Sequence, residues 1–394
     1  MPQSFKHGES YPRLLEYLPK KLQKELEFLR SFFAPYTKRV YLVGGAVRDM
    51  IRGEVEEKDI EIKDLDIEVY GIDRELFDEL MKKLGAKGVG KSFFVYKYKT
   101  GIDISLPRVE SKVAKGHRGF RVELAKDERE ASLRRDFAMN AMMLNIFNAR
   151  LLDFWGGVED IKSRRISIID EKRFKEDSLR VLRAVQFSAR FGYKIDERSC
   201  EVMRDMELGD LSKERIFWEF EKMFLSGYPH YGLYYIQVLK IDRKIFNVDL
   251  DRKFFFKTAL ELLRGRKGFE KELEKFYFLY IFAKNQHRRF EYFLDILQTP
   301  KEYYNAFRRQ KYLPKSRTDR FLAALSLLYP LKKYLGNYKE DVKIRAKKLG
   351  LWESKFQAVS PEELLKEGYS GKELGLELRR RNLEAIKKEF KGKE

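Results

Sequence analysis

Apolar residues change their spacing along this chain, and the changes predict an order of elements. Between residues 10 and 37, Leu14, Leu15, Leu18, Leu22, Leu26 and Leu29 recur at helical intervals, which predicts one or two leading helices. Val40-Tyr41-Leu42-Val43 is a β-branched and aromatic run that reads as a buried strand. Gly44-Gly45 follows, and Ala46 to Arg52 reads as the start of a helix. Asp64-Leu65-Asp66-Ile67-Glu68-Val69-Tyr70 alternates as a second strand does, so Asp64 and Asp66 project to one face. A helix over 74–84, with Leu76, Leu80 and Leu84 on one side, and strands over 93–98 and 102–106 complete a small mixed sheet with helices. Leu151 to Gly157 closes this head through a turn.

Beyond the head the period is helical. Glu176 to Phe191 predicts a helix buried along Leu179, Leu182, Val185, Phe187 and Ala189, with Glu176, Asp177, Arg180 and Arg183 on its other side. Ser212 suits the N-cap of a helix through Glu219. Apolar helical patterns recur over 254–263, 273–282 and 321–335, with few strand signals. The fold class is therefore an α/β head followed by an all-α neck, body and tail. The expected domains are 1–155 for the head with its N-terminal helices, 156–225 for the neck, and 226–394 for the body and tail. Residues 107–130, charged and punctuated by Gly116 and Gly119, are expected to form a mobile loop.

Charge narrows the class of partner. The 394 residues leave room for two or three domains, and their net charge of +20 favours a polyanion. Nucleic acid is preferred over an anionic membrane, because no basic amphipathic anchor stands out. The 37% of charged residues would suit a thermophile's surface, but such surfaces are usually balanced in sign and this one is not. Basic residues concentrate over 301–350, from Lys301, Arg308 and Arg309 to Lys347 and Lys348, interleaved with Tyr303, Tyr304, Tyr312, Tyr329, Tyr334 and Tyr338. Basic groups take phosphates, while most of these tyrosines read as core. No apolar run approaches the ~20 residues that span a bilayer, and the N-terminal residues lack the apolar stretch of a signal peptide. Cys200 stands alone, which excludes an internal disulfide, and four scattered histidines show no zinc-ligand spacing. A cytoplasmic location is expected.

Two features carry chemistry. Strand, glycine turn and helix start in succession let backbone N–H groups close on a phosphate. Asp64 and Asp66, side by side, repel one another and call for a cation. Mg²⁺, or Mn²⁺ in its place, suits all-oxygen ligands beside a triphosphate. Each feature alone is commonplace, a turn and a solvated strand face; their order is what carries information.

LVGGAVRD followed by DLDIEVYG resembles the signature of nucleotidyltransferases with a polymerase-β-like palm. It is similar in particular to the class II branch of tRNA CCA-adding enzymes and bacterial poly(A) polymerases. Arg134-Arg135-Asp136-Phe137-Ala138-Met139-Asn140-Ala141 resembles that family's RRDxxxNA block, and Glu176 to Phe191 resembles its EDxLRxLRxxRFxxRF helix. Lys213-Glu214-Arg215 matches a supporting block, and Glu367 to Arg381 looks like the C-terminal box that grips tRNA. The first five blocks span roughly residues 40–220 in the expected order. Two departures are visible: an eleven-residue link, 53–63, with a competing Asp59-x-Glu61 pair, and Gln186 where the family commonly has Arg.

The resemblance implies addition of C and/or A from CTP and ATP to the 3′ end of tRNA, with release of pyrophosphate. Asp64 and Asp66 would hold two Mg²⁺ ions, with Asp103 as a further carboxylate. Gly44, Gly45 and Arg48 would hold the triphosphate. Arg134, Arg135, Asp136 and Asn140 would hold the nucleotide, with Asp136 and Asn140 sharing one helical face. Asp177 and Arg180, with Arg183 beside them, would read the base. CC-only or A-only addition beside a complementary nucleotidyltransferase stays open, then poly(A) synthesis, then a non-catalytic RNA-binding relic.

Overall fold

The computed structural model describes residues 5–89, 94–112, 120–265, 270–310, 312–314 and 317–391. Its contacts divide the chain into two compact units. Residues 1–212 with 238–240 make the first, and 213–237 with 241–394 make the second.

A 3₁₀ turn, Pro12–Tyr17, and helix α1, Lys20–Phe33, open the first unit; α1 buries Leu22, Leu26, Leu29 and Phe33 on one stripe. Strand β1, Val40–Val43, is wholly buried and passes through Gly44 into α2, Gly45–Glu56. Then come β2, Leu65–Val69; α3, Arg74–Lys83; β3, Lys87–Gly88; β4, Val95–Lys99; and β5, Ile102–Ser105. A hairpin, β6 (Arg108–Lys112) and β7 (Phe120–Leu124), leads to α4, Glu128–Leu133. Strands β8, Met143–Asn145, and β9, Leu151–Leu152, finish the sheet. Its seven strands run β3-β4-β5-β2-β1-β8-β9, antiparallel except where β2 pairs with β5. That parallel pair is joined through α3 and the β3–β4 hairpin, the longer crossover that a parallel connection needs. Helix α5 (Gly157–Lys162), β10 (Arg165–Ile166), α6 (Glu171–Phe174), α7 (Leu179–Phe191), β11 (Lys194–Ile195) and α8 (Glu197–Asp205) follow, with β10 and β11 paired in parallel.

The mixed sheet matches expectation, and several local readings are corrected. Residues of the long link 53–56 extend α2 by a turn, to a left-handed cap at Glu57. Gly53 is required there, since a Cβ would lie 2.5 Å from the Tyr17 ring. The buried side of α3 is Phe77, Leu80 and Met81, because bulk at 77 and 81 shifts the stripe from Leu76. The segment expected as a loop forms the β6–β7 hairpin and α4; period-two apolar residues, Val109 and then Phe120, Val122 and Leu124, carry that strand signal. Residues 113–119, with Gly116 and Gly119, lie outside the described residues, as do Phe93, Lys311 and Lys315.

The described part of the second unit is helical. Helix Glu274–Asn285 is buried on nearly every side, from Phe276 to Ala283. Aromatic rings surround it, with Phe224 stacked 4.8 Å from Phe278 and Phe254 edge-on 5.4 Å from Phe282. A second cluster near the C-terminus packs Leu322, Leu331, Trp352 and Ile386. The helix expected over 321–335 is instead Asp319–Ser326 followed by 3₁₀ turns, because Pro330 cannot continue it. Of the six tyrosines read mostly as core, only Tyr303 and Tyr334 are buried; Tyr304, Tyr329 and Tyr338 are half-buried and Tyr312 is exposed. No described helix is long and apolar enough to cross a membrane.

Candidate active site

One face of β2 carries Asp64, Asp66, Glu68 and Tyr70 in succession, and the environment changes along it. Asp64 and Asp66 are exposed, whereas Glu68 and Tyr70 are buried. The buried end lies in a cluster with Tyr41, Val43, Ala131 and Met143. Asp66 pairs in register with Asp103 on β5 and with Val43, the residue before the glycine turn, on β1. Desolvation, then the charges of Asp103, Glu68 and Asp64, raise the Asp66 carboxyl above the ordinary range, against the lowering pull of Arg135. Asp59 and Glu61 sit apart in the exposed link, and Glu61 pairs with Lys63 at 3.2 Å.

Gly44 turns the chain from β1 into α2 with φ +69°, a conformation that L residues rarely adopt. A Cβ on it would lie 3.0 Å from Arg135 Nη1 and 3.6 Å from Asp66 Oδ2. The bare glycine therefore lets a guanidinium and a carboxylate converge on the turn. Gly45 is the first residue of α2, with backbone N–H groups of the first turn directed outward. Arg134 and Arg135 both donate to Glu68 Oε1, at 2.9 and 3.0 Å. Their Nε–H groups are buried without an acceptor among the described residues. Protein acceptors thus leave both guanidiniums under-used.

Asp136 and Asn140 meet, but not on a helix. Helix α4 ends at Leu133, Phe137 is extended and bridges Ile168, and a 3₁₀ turn spans Ala138–Asn140. Asn140 nonetheless donates to Asp136 at 2.9 Å, and Arg183 donates to the other Asp136 oxygen at 2.7 Å. Burial raises the Asp136 carboxyl, but Arg183, Asn140 and Arg180 outweigh it and hold it below the ordinary range. Arg48 is buried: it donates to Asn140 at 2.7 Å, pairs in bidentate fashion with Asp49, and lies over the Phe187 and Phe191 rings. Arg48 therefore ties α2 to the Asp136 loop from within.

Helix α7 starts at Leu179, so Glu176 and Asp177 precede it rather than ride on it. Asp177 accepts the Leu179 N–H at 3.2 Å. Arg180 donates to the carbonyls of Arg173 at 2.8 Å and of Arg134 at 2.7 Å, with three of its five N–H groups remaining. Gln186 is buried along with the rest of residues 184–189, so α7 is more enclosed than an amphipathic pattern implies.

Glu68, Tyr70 and Asp49 were not singled out by sequence reasoning. For Glu68 a signal existed: an acid two residues beyond Asp66, on the same face of a strand otherwise rich in Ile and Val. Among the described residues, no three His, Cys, Asp or Glu side chains form a ready metal cage. Asp64, Asp66 and Asp103 fit Mg²⁺ differently. That ion is commonly held by one or two carboxylates plus substrate phosphates, and the register of Asp66 with Asp103, with Asp64 two residues before, gathers such carboxylates at one end of the strand pair. An apolar cavity of 610 Å³ in the second unit, between Phe321, Phe356 and Leu378, has no carboxylate among the described residues that line it and is no candidate for this chemistry.

The mixed sheet, glycine turn and paired strand carboxylates agree with the polymerase-β-like head that the sequence resemblance implies. Residues 40–167 match the poly(A) polymerase head domain, and 192–246 match a probable RNA and SrmB-binding site of polymerase A. In these two regions the chain is similar to the class II family of CCA-adding enzymes and bacterial poly(A) polymerases. It is 32% identical over 231 residues to a CCA-adding enzyme of Lactococcus lactis subsp. cremoris (strain MG1363), covering 56% of this chain and 54% of that protein. It is 36% identical over 201 residues to a multifunctional CCA protein of Xanthomonas campestris pv. campestris (strain B100), covering 48% and 46%. The chain thus spans about half the length of the curated relatives it matches. The fold resembles that of the Bacillus stearothermophilus CCA-adding enzyme in complex with CTP (TM-score 0.70, 19% identity, 96% of this chain and 95% of that one). It also resembles the Thermotoga maritima CCA-adding enzyme complexed with tRNA (TM-score 0.69, 21% identity, 97% and 95%).

Proposed function

We propose that this protein adds C and/or A from CTP and ATP to the 3′ end of tRNA, without a nucleic-acid template. The observation that carries this reading is the register of Asp66 with Asp103, beside a glycine turn over which Arg135 lies. Carboxylates stand where a cation is needed, and arginine and backbone N–H groups stand where an anion is needed. The similarity to proteins named CCA-adding enzymes supports tRNA as the acceptor, and so does the charge of +20.

The reaction joins the RNA 3′ oxygen to the α-phosphorus and breaks its bond to pyrophosphate. Asp64, Asp66 and Asp103 would hold divalent metal, Mg²⁺ or Mn²⁺, in two sites. When bound, the metal supplies activation of the 3′-OH and charge for the leaving group. Gly44 and Gly45 bring the first turn of α2 to the triphosphate, and Arg134 and Arg135 neutralise it. Asp136 and Asn140, fixed by Arg183 and Arg48, shape the nucleotide's seat. Asp177 accepts from the exocyclic amine of C or A, and Arg180 donates to the base through its remaining N–H groups. The working division is a head at 1–155, a base-reading neck at 156–225, and a tRNA-binding body and tail at 226–394, in the cytoplasm.

The test uses tRNA transcripts ending before CCA, after C, and after CC, with labelled CTP and ATP separately and together. Extension of all three to CCA is the expected result. Stopping at CC, or adding one A only to the CC-ended transcript, would reveal a divided system with a complementary enzyme. Long A tails on any RNA would mean poly(A) polymerase, and tRNA binding with no incorporation would mean a relic.

A further inference from the structure

We propose that Glu68 is a positioning residue for nucleotide binding, clamping Arg134 and Arg135 side by side so that both guanidiniums meet the triphosphate together. This rests on the reading of the head as a nucleotidyltransferase site.

Glu68 sits in the middle of β2 at 1% exposure, where an aliphatic residue would serve packing better. A buried carboxylate is weak support for stability, because its desolvation costs several kcal/mol before any partner is counted. Here every lobe of the charge is used. Oε1 accepts from Arg134 at 2.9 Å and from Arg135 at 3.0 Å, and Oε2 accepts from the Tyr70 hydroxyl at 2.7 Å. Burial and the neighbouring Glu68 push the Tyr70 hydroxyl far up, so it remains a donor at any working pH.

The clamp answers a difficulty set by the sequence. Two adjacent arginines repel one another and would swing apart into solvent. One anion shared between them holds both and leaves the group a net positive charge. Their side chains keep 20% and 16% exposure, and Arg135 Nη1 reaches the Gly44 turn. Arg180 holds the Arg134 carbonyl at 2.7 Å, so the backbone under the pair is anchored as well. Glu68 touches no substrate; it acts through the arginines.

The experiment measures KM and kcat for CTP and ATP on a tRNA lacking CCA, in wild type, Glu68→Gln and Tyr70→Phe. Alongside it, competition by CTP is compared with competition by CMP, which lacks the β- and γ-phosphates. Glu68→Gln should raise KM about 10-fold with kcat within about 3-fold and CMP competition unchanged; Tyr70→Phe should shift KM about 3-fold in the same direction. A Glu68→Gln enzyme with wild-type KM overturns the clamp. So does parallel loss of kcat, CTP binding, CMP binding and thermal stability, which would make Glu68 structural only. If Glu68→Gln does not fold, Tyr70→Phe decides by the same criteria. A wild type that extends no tRNA overturns the nucleotidyltransferase reading instead.

Discussion

Charge is used in opposite ways in the two units. In the first, charged groups are buried and individually partnered: Glu68 holds two arginines and a tyrosine, and Asp136 holds Arg183 and Asn140. In the second, most described basic residues of 301–350 are exposed or half-buried, with Arg317 the buried exception, hydrogen-bonded to Asn337 and the Gly336 carbonyl. Pairs of this unit such as Arg345 with Asp319 and, further along, Arg380 with Glu377 are solvated ones. Buried partners act in low dielectric and at fixed distance, so removing one is felt in full. Exposed charges are screened and replaceable, so they matter by number. The head is therefore expected to answer to single substitutions, and the basic surface to sums and to salt.

The largest effect should come from Asp66→Asn. Incorporation should fall about 10³-fold, because a metal-holding oxygen and a charge are lost together. Stability should move the other way. In the fold, Asp66 is raised above its ordinary pKa of 3.8. The folded chain thus keeps a proton through a window in which the unfolded chain has lost it. Stability falls as pH climbs from 3.8 through the raised value, and the cost is fully present at neutral pH. Asn carries no such cost, so the melting temperature at neutral pH should rise and its pH dependence should flatten. Lost activity with lowered stability would mean that the site had collapsed.

Next in size is Asp136→Ala, which removes the carboxylate that Arg183 and Asn140 share. Arg183 keeps 35% exposure, so the loss is that of charge-assisted hydrogen bonds at a part-buried site, about 1.5–3 kcal/mol, read by urea unfolding. The folded pKa of Asp136 lies below its ordinary 3.8, so its contribution is present above that value and is lost as pH falls through the lowered one. The variant should lose stability at neutral pH and lie closer to wild type in strong acid. A loss under about 1 kcal/mol would place this network with the solvated pairs of the second unit.

These two residues also show what could be read before the fold was known. Asp66 was legible because its neighbours alternate with period two and because a strand, glycine turn and helix start precede it in order. The Asp136–Asn140 contact was reached for the wrong reason: a helix was expected, whereas an extended Phe137 and a 3₁₀ turn bring the pair together. Spacing of four suits both geometries, so spacing could not choose. Arg48 and Glu68 were harder. Their roles depend on partners about 90 and 66 residues away along the chain, and a long-range pair leaves no local period. The β6–β7 hairpin was missed because glycine and charge outweighed a short alternation.

Gly44→Ala should have an intermediate effect. A positive φ costs an alanine about 1–2 kcal/mol, and its Cβ would press on Arg135 at 3.0 Å. KM for CTP should rise about 10-fold while tRNA affinity stays unchanged, since the strain lies at the triphosphate end. A loss of tRNA affinity equal to the loss of CTP affinity would blur the division between the two uses of charge.

The smallest effect should come from Lys348→Ala, in the last turn of the exposed helix Glu340–Lys348. If this lysine neutralises one phosphate among many, tRNA affinity should fall less than about 3-fold at moderate salt. The slope of log K against log salt should drop by about 0.7–0.9, and nucleotide KM should not move. Anisotropy of labelled tRNA at several salt concentrations measures all but the last. Adding Lys333→Ala, Lys339→Ala and Lys347→Ala should lower the slope in near-equal steps, because exposed charges on a flexible stem act independently. A 100-fold loss from Lys348→Ala alone, at unchanged slope, would mean an organised contact rather than a diffuse field, and the second unit would then resemble the first.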